Sequence, residues 1–223
     1  MAEKERLDRQ TMALRVAKEF EDGMVVNLGI GIPTLCVNFI PEGREILFHT
    51  ENGALGFGPI ATPEEADLDL VNAGGQFVTT KGGMSFFTHD ESFAIIRGGH
   101  IDLCVLGGMQ VSGNGDLANW LLPERGIGSI GGAMDLAFGA KKLIVVMEHT
   151  TKDSKLRILN KCAYELTAPQ CVYLIVTDIA VVEVTEGGLI LKEVAPGWSA
   201  EEVQAMTEPK LIISPDLKDI ELI

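Results

Sequence analysis

Met24-Val25-Val26-Asn27-Leu28-Gly29-Ile30-Gly31-Ile32-Pro33-Thr34, followed at 45–50 by Glu-Ile-Leu-Phe-His-Thr, decides the fold. The aliphatic run at 24–28 predicts a buried strand, and the Gly-Ile-Gly turn ends it. Pro33 suits the start of a helix, where its missing N–H costs nothing, so Thr34–Ile40 reads as a short helix. With a second strand at 45–50 the unit is β-α-β. The expected class is α/β: an open, largely parallel sheet flanked by helices.

The second strand runs into Thr50-Glu51-Asn52-Gly53-Ala54-Leu55-Gly56-Phe57-Gly58-Pro59. Glu51 therefore stands where a strand stops, the edge at which open α/β sheets bind ligands. A carboxylate flanked by glycines can act there as a nucleophile, a base or a hook for ribose, although most loop acids are merely solvated. A second signal competes. G-x-G after the first strand, with an acid closing the second about 20 residues later, outlines a dinucleotide-binding fold. Its third glycine would fall at Thr34, and Pro33 sits inside the turn, so the fingerprint is incomplete.

Working outward, residues 4–22 place Leu7, Thr11, Leu14, Ala17 and Phe20 at helical spacing, which predicts an amphipathic helix. Residues 68–73 read as a short strand, 76–90 as surface loop and edge structure, and Glu91–Arg97 as a helix stopped by Gly98-Gly99. Ile101–Leu106 and Leu143–Met147 are buried strands, with turn chemistry at 111–116. The helix Met134–Gly139 follows Gly131-Gly132-Ala133, whose N–H groups at a helix start can face an oxyanion. Shorter β runs at 172–176, 180–184 and 189–193 add mixed strands towards the C-terminus, with a hairpin turn at Gly187-Gly188. Ser199 caps a helix with Glu202 three residues on, and a last strand covers 211–213. No linker or repeat interrupts the chain, so residues 1–223 are expected to form a single domain.

The net charge of -14 argues against nucleic acid or an anionic membrane as partner. No apolar run reaches the roughly 18 residues of a membrane span. The charged N-terminus carries no secretory signal, and Cys36, Cys104, Cys162 and Cys171 lie far apart. The expectation is a reduced, cytoplasmic protein without a metal site. His49, His89, His100 and His149 show no ligand spacing; His49 shares a strand face with Glu51 if the strand persists, but a satisfied or solvent-facing histidine fits as well. Lys152, Lys155 and Arg157 read as a solvated face, and Trp120 and Trp198 as packing residues. Ser112 and Ser129 lack the elbow of a serine hydrolase.

Taken in order, several segments resemble the β subunit, or the C-terminal half of fused forms, of family I coenzyme A transferases. They are Val26–Thr34, Glu51-Asn52-Gly53-Ala54-Leu55-Gly56, Val71-Asn72-Ala73-Gly74, Ser92–His100, Leu117-Ala118-Asn119-Trp120 and Gly131–Leu136. Thr50 replaces the usual serine before the glutamate and keeps a hydroxyl. The resemblance implies that Glu51 is the covalent nucleophile of a ping-pong transfer of coenzyme A between short-chain or 3-oxo carboxylic acids. It places Asn27, Gly132 and Ala133 at the oxyanion and Gly29 and Gly31 in the coenzyme A site. Some members carry a lysine directly after Asn-Ala-Gly, where this chain has Gly75, and Lys81 is the candidate substitute for that contact. Coenzyme A is then a substrate and no cofactor is needed. The implied partners are acyl-CoA and carboxylic acid substrates and a separate α subunit that completes the site, with self-association open. The alternatives are a dinucleotide-binding oxidoreductase subunit, motivated by G-x-G, and a non-catalytic regulatory subunit, motivated by the half-size acidic chain. A phosphosugar isomerase on a related fold would want a phosphate cradle that the sequence does not show.

Overall fold

In the computed structural model, which describes residues 4–126 and 128–221, the first helix is shorter than its periodicity suggests. α1 covers Arg9–Ala17 because Asp8 caps it, its Oδ1 accepting from Thr11 N–H at 2.7 Å. Leu7 N–H instead donates to the Asp178 carbonyl, which ties the preceding segment to the sheet. β1 (Val25–Leu28) follows, then a single α-helical turn, α2 (Ile32–Leu35), which tightens into a 3-10 turn at Cys36–Phe39. β2 (Leu47–Thr50) turns back into β3 (Ala54–Leu55), which pairs with the short edge strand β4 (Ser85–Phe86).

α3 (His89–Arg97) leads to β5 (Ile101–Gly107), then β6 (Gln110–Ser112) and β7 (Leu117–Ala118). α4 (Ala133–Gly139) runs directly into β8 (Ala140–Met147), and β9 is Ile158–Leu159. β10 (Leu174–Thr177), β11 (Ala180–Thr185) and β12 (Gly188–Val194) precede α5 (Ala200–Ala205) and β13 (Leu211–Asp219).

Ten strands form one sheet in the order β13-β12-β11-β10-β8-β5-β1-β2-β3-β4. The block β10-β8-β5-β1-β2 is parallel, while β11 and β3 run antiparallel to their neighbours. The mixed strands therefore flank a parallel centre, and β12–β13 adds one more parallel pair. β6, β7 and β9 make a small second sheet. The central strands carry the core: Val26, Cys104, Val105, Ile144, Val145, Ile175 and Val176 are fully buried. Successive apolar residues without alternation mean that both sheet faces are covered. α1 packs with α2 over β8 and β10, and α3 packs on α4, which covers β5 and β8.

Besides the first helix and the helix expected over Thr34–Ile40, two further elements come out differently. Residues 68–73 form no strand; Val71 makes only an isolated bridge to Phe77. Acidic and amide side chains capture the local backbone instead. Asp67 Oδ1 accepts from Asp69 N–H, and Asn72 Oδ1 accepts from Gly74 and Gln76 N–H. At the other end, the last strand runs from Leu211 through Asp219, past the expected limit at 213.

The topology fixes where a ligand can sit. From β1 the chain moves to β2 on one side and later to β5 on the other, so β1 is the point at which the strand order reverses. A crevice outside the carboxyl ends of the strands opens at such a point.

Candidate active site

Glu51 is the first residue beyond β2, in the three-residue turn Glu51–Gly53 that leads into β3. Gly53 is required there. Its φ is +119°, and a Cβ would come within 2.1 Å of the Phe87 carbonyl. The turn is clamped on three sides. Thr50 Oγ1 donates to Asn52 Oδ1 and accepts from Ala73 N–H, Asn52 Nδ2 donates to the Val71 carbonyl, and Phe87 N–H donates to the Gly53 carbonyl. The hydroxyl that Thr50 shares with serine is thus one of two side-chain ties, with the Asn52 amide, between the 70s loop and the turn.

A cleft of about 440 Å³ opens at this edge, walled by Leu28, Ile30, Leu106, Met109, Ile130 and Leu136, with Glu51 the one charged side chain among its described lining residues. Burial pushes the Glu51 carboxyl above its ordinary pKa, and the His89 imidazole partly offsets that. Among the described residues none donates a hydrogen bond to its carboxylate. Across the cleft, a Cβ added to Gly132 would lie 3.3 Å from Glu51 Oε2 and 3.0 Å from the Phe93 ring. A side chain at this position would be tight against both.

The expected site residues divide. Gly132 meets Glu51, and its N–H donates to no acceptor among the described residues. Ala133 lines the cleft, but its N–H is already bonded to the Ile130 carbonyl at 3.1 Å. Gly29 lines the cleft too, with its N–H given to the Val105 carbonyl, and a Cβ added there would meet Leu106 at 3.0 Å. Gly31, at φ +96°, forms the turn into α2 and is not among the described lining residues. Asn27 is buried behind the cleft, with both amide hydrogens committed to His49: Nδ2 reaches His49 Nδ1 at 3.0 Å and the His49 carbonyl at 3.3 Å. Lys81 lies elsewhere, in a separate depression with Asp22 and Glu45, and pairs with Glu45 at 3.3 Å. The structure does not bring it to Glu51.

Three residues at the site carry no assignment from the sequence. His89 Nδ1–H donates to the Glu51 carbonyl at 3.0 Å, its ring set 4.8 Å from that of Phe93, and Ser92 Oγ lies 3.0 Å from His49 Nε2. A signal for the first was present. Thr88-x-x-Glu91 is a capping box, and it makes His89 the first residue of α3. His49 is buried with both ring nitrogens hydrogen-bonded, so the solvent-facing reading does not hold for it.

The dinucleotide alternative fails on the same geometry. The G-x-G turn feeds a four-residue helix, too short to present a dipole to a pyrophosphate, and the Gly29 N–H is already used. The four cysteines are free thiols.

A partly buried carboxylate at the switch point of a parallel sheet, facing bare backbone across an apolar cleft, is an arrangement that acyl transfer through a carboxylate can use. The family model for coenzyme A transferases matches residues 9–206. The beta subunit of the acetate CoA-transferase of Escherichia coli (strain K12) is 47% identical over 209 residues, 94% of this chain and 95% of that one. A subunit of the succinyl-CoA:3-ketoacid coenzyme A transferase of Helicobacter pylori is 48% identical over 200 residues, 90% of this chain and 96% of its own. An acyl-CoA transferase apoenzyme from Escherichia coli O157:H7 superposes with a TM-score of 0.76 at 21% identity; 96% of this chain spans 43% of that one, and the likeness speaks for the fold. The chain belongs to the coenzyme A transferase family, as one of its β subunits.

Proposed function

We propose that this β subunit, joined to an α subunit, transfers coenzyme A between short-chain or 3-oxo carboxylic acids through a glutamyl thioester on Glu51. The observation that carries this is the Glu51 carboxylate itself: partly desolvated, without a hydrogen-bond donor among the described residues and set against Gly132 in an apolar cleft. A carboxylate stripped of donors is a stronger nucleophile than a solvated one.

The steps balance without a proton donor or ATP. Glu51 attacks the acyl-CoA carbonyl, and the tetrahedral adduct expels coenzyme A thiolate to leave a mixed anhydride. The thiolate then attacks the Glu51 carbonyl carbon, forming the enzyme thioester and releasing the first acid as its carboxylate. A second carboxylate attacks the thioester, and the expelled thiolate takes the new acyl group, which restores Glu51. Each adduct carries an oxyanion. The uncommitted Gly132 N–H, at the start of α4, is the donor best suited to it, and one such donor is worth roughly 3–4 kcal/mol. Asn27 supports the site from behind, through His49.

The range of acids follows the names of the relatives, an acetate transferase and a succinyl-CoA:3-ketoacid transferase. Their designations as subunits support an α partner for this chain, and the absence of a cation from the described cleft lining supports the partner as the source of coenzyme A phosphate contacts. The four unpaired thiols suit a reducing compartment such as the cytoplasm.

The test is chemical. The assembled complex is given acetoacetyl-CoA without an acceptor acid, reduced with borohydride, and digested for peptide mass mapping. Reduction at Glu51, missing from a Glu51→Gln control, is the expected result. An unmodified Glu51 in an assembled complex that does not turn over would remove the mechanism.

A further inference from the structure

Behind Glu51 lies a buried polar chain that the transfer chemistry does not itself use. Asn27 on β1 and His49 on β2 are direct partners in the parallel register, and both are 1% exposed. Ser92, one turn into α3, is fully buried. The directions of the hydrogen bonds follow from what each atom can do. The Asn27 orientation is fixed because its Nδ2 also meets the His49 carbonyl, which only accepts, while the Cys104 thiol approaches Oδ1 at 4.0 Å. The amide nitrogen can only donate, so His49 Nδ1 accepts and the ring proton sits on Nε2. Nε2–H then donates to Ser92 Oγ at 3.0 Å. That leaves the serine hydrogen for the Thr50 carbonyl, a long contact at 3.5 Å.

The chain ends on the carbonyl of the peptide that carries Glu51. The next carbonyl, of Glu51 itself, is held by His89. Two successive peptide groups are thus fixed by histidines, one from the core and one from the rim. Phe87 stacks on the His49 ring at 5.8 Å and 16°, so the ring cannot rotate without losing that contact. Burial, with no charged neighbour acting on the ring, pushes His49 down to about 4, which keeps it neutral as the chain requires.

We propose that His49 is a positioning residue for the transfer reaction: as a neutral imidazole it passes one hydrogen-bond direction from Asn27 through Ser92 to the Thr50 carbonyl, and so aims the Glu51 carboxylate at Gly132. This rests on the reading of Glu51 as the nucleophile. A satisfied core histidine would stabilise the fold and do nothing more. A positioning residue must also act on the chemical step, because a displacement of about 1 Å at a nucleophile costs on the order of 100-fold in rate.

The experiment uses the assembled complex with Glu51→Gln as the reference for a lost nucleophile. His49→Gln keeps one acceptor and one donor on a side chain of similar reach, whereas His49→Leu keeps volume and removes both. Each variant is measured for kcat, for KM towards acyl-CoA, and for the yield of borohydride-trapped Glu51 in a single turnover. The expected result for His49→Leu is a fall in kcat of about 100-fold with KM within about 3-fold of wild type, and trapping slowed in parallel. His49→Gln is expected within about 3-fold of wild type in all three. A His49→Leu complex that turns over normally, or a His49→Gln complex as slow as it, would overturn the proposal. If His49→Leu does not assemble, Ser92→Ala breaks the next link with a smaller change. A drop of about 10-fold in kcat is then expected, and an unchanged kcat counts against it. Should Glu51→Gln itself stay active, the nucleophile assignment fails, and that outcome is separable from the others.

Discussion

The two ends of the sheet treat buried charge in opposite ways. Near β12, Arg15 is buried and each nitrogen of its guanidinium is bonded to a carboxylate, with two bonds to Glu193 at 2.7 and 3.0 Å and one to Glu19 at 2.7 Å. Burial alone would lower its pKa, and the two carboxylates more than reverse that. Close by, Asp178 accepts from Arg6 and from His149 N–H, while the His149 ring is bonded to Thr177 and Thr207. At the β1–β2 end the one charged side chain of the described cleft lining, Glu51, has no donor among the described residues, and its pKa rises. Desolvation is common to both regions. Pairing marks the end that holds the fold together, and its absence marks the end we propose as reactive.

The sharpest break of that contrast is Glu51→Gln. Transferase activity should fall by at least ~1,000-fold, as expected when a covalent nucleophile is removed. The fold should gain. A carboxyl whose pKa is raised on folding destabilises the native state while ionised. That penalty is complete above the folded pKa and gone below the unfolded value of 4.5. Thermal unfolding should therefore show a higher Tm for the variant at pH 8 and no gain at pH 4. A variant that is equal to or less stable than wild type at pH 8 would mean that the carboxylate has a partner after all.

Glu193→Ala tests the other end. It strands Arg15 in the core with Glu19 alone, a change that costs roughly 3–5 kcal/mol for a buried pair. A Tm drop of the order of 10 °C is expected, with kcat per folded complex unchanged. A loss of kcat without a loss of Tm would show that the paired end also serves the chemistry.

How much of this contrast the sequence discloses depends on range. The parallel strands, the Ser199–Glu202 capping box and the placing of Glu51 at a strand end are local patterns, and each stands in the structure where the residues put it. The strand reading of 68–73 fails because Asp67 and Asn72 offer the backbone closer partners than another strand does. Lys81 and Ala133 could not be settled locally, since only the folded chain shows that Glu45 takes the one and the Ile130 carbonyl the other. The Asn27–His49–Ser92 chain spans residues 22 and 43 apart and exists only through the β1–β2 register and the docking of α3. No short motif encodes that.

Gly132→Ala asks whether the bare backbone opposite Glu51 matters. The new methyl group would meet Phe93 at 3.0 Å and Glu51 Oε2 at 3.3 Å, tight enough to push the carboxylate aside, while φ of -85° adds no backbone strain. The loss should appear in kcat, at about 100-fold, with a Tm within a few degrees of wild type. Normal turnover would show that the cleft accommodates a methyl group opposite the carboxylate.

The smallest effect compares like with like, because each region has its own capping box. Thr88 caps α3 with Glu91, and Ser199 caps α5 with Glu202, each with the hydroxyl and carboxylate bonds of the motif. Replacing either hydroxyl residue by alanine should cost about 1 kcal/mol, or about 2–4 °C in a chain of this size. The two should part company in kinetics. α3 begins at His89, whose Nδ1–H holds the Glu51 carbonyl, so fraying that turn loosens the nucleophile. α5 contributes no residue to the described cleft lining. Thr88→Ala should therefore lower kcat by a few-fold on top of its stability cost, and Ser199→Ala should leave kcat alone. Equal kinetic losses in both would mean that stability spreads through the sheet to the site, and that the division between a paired end and a reactive end is only geometric.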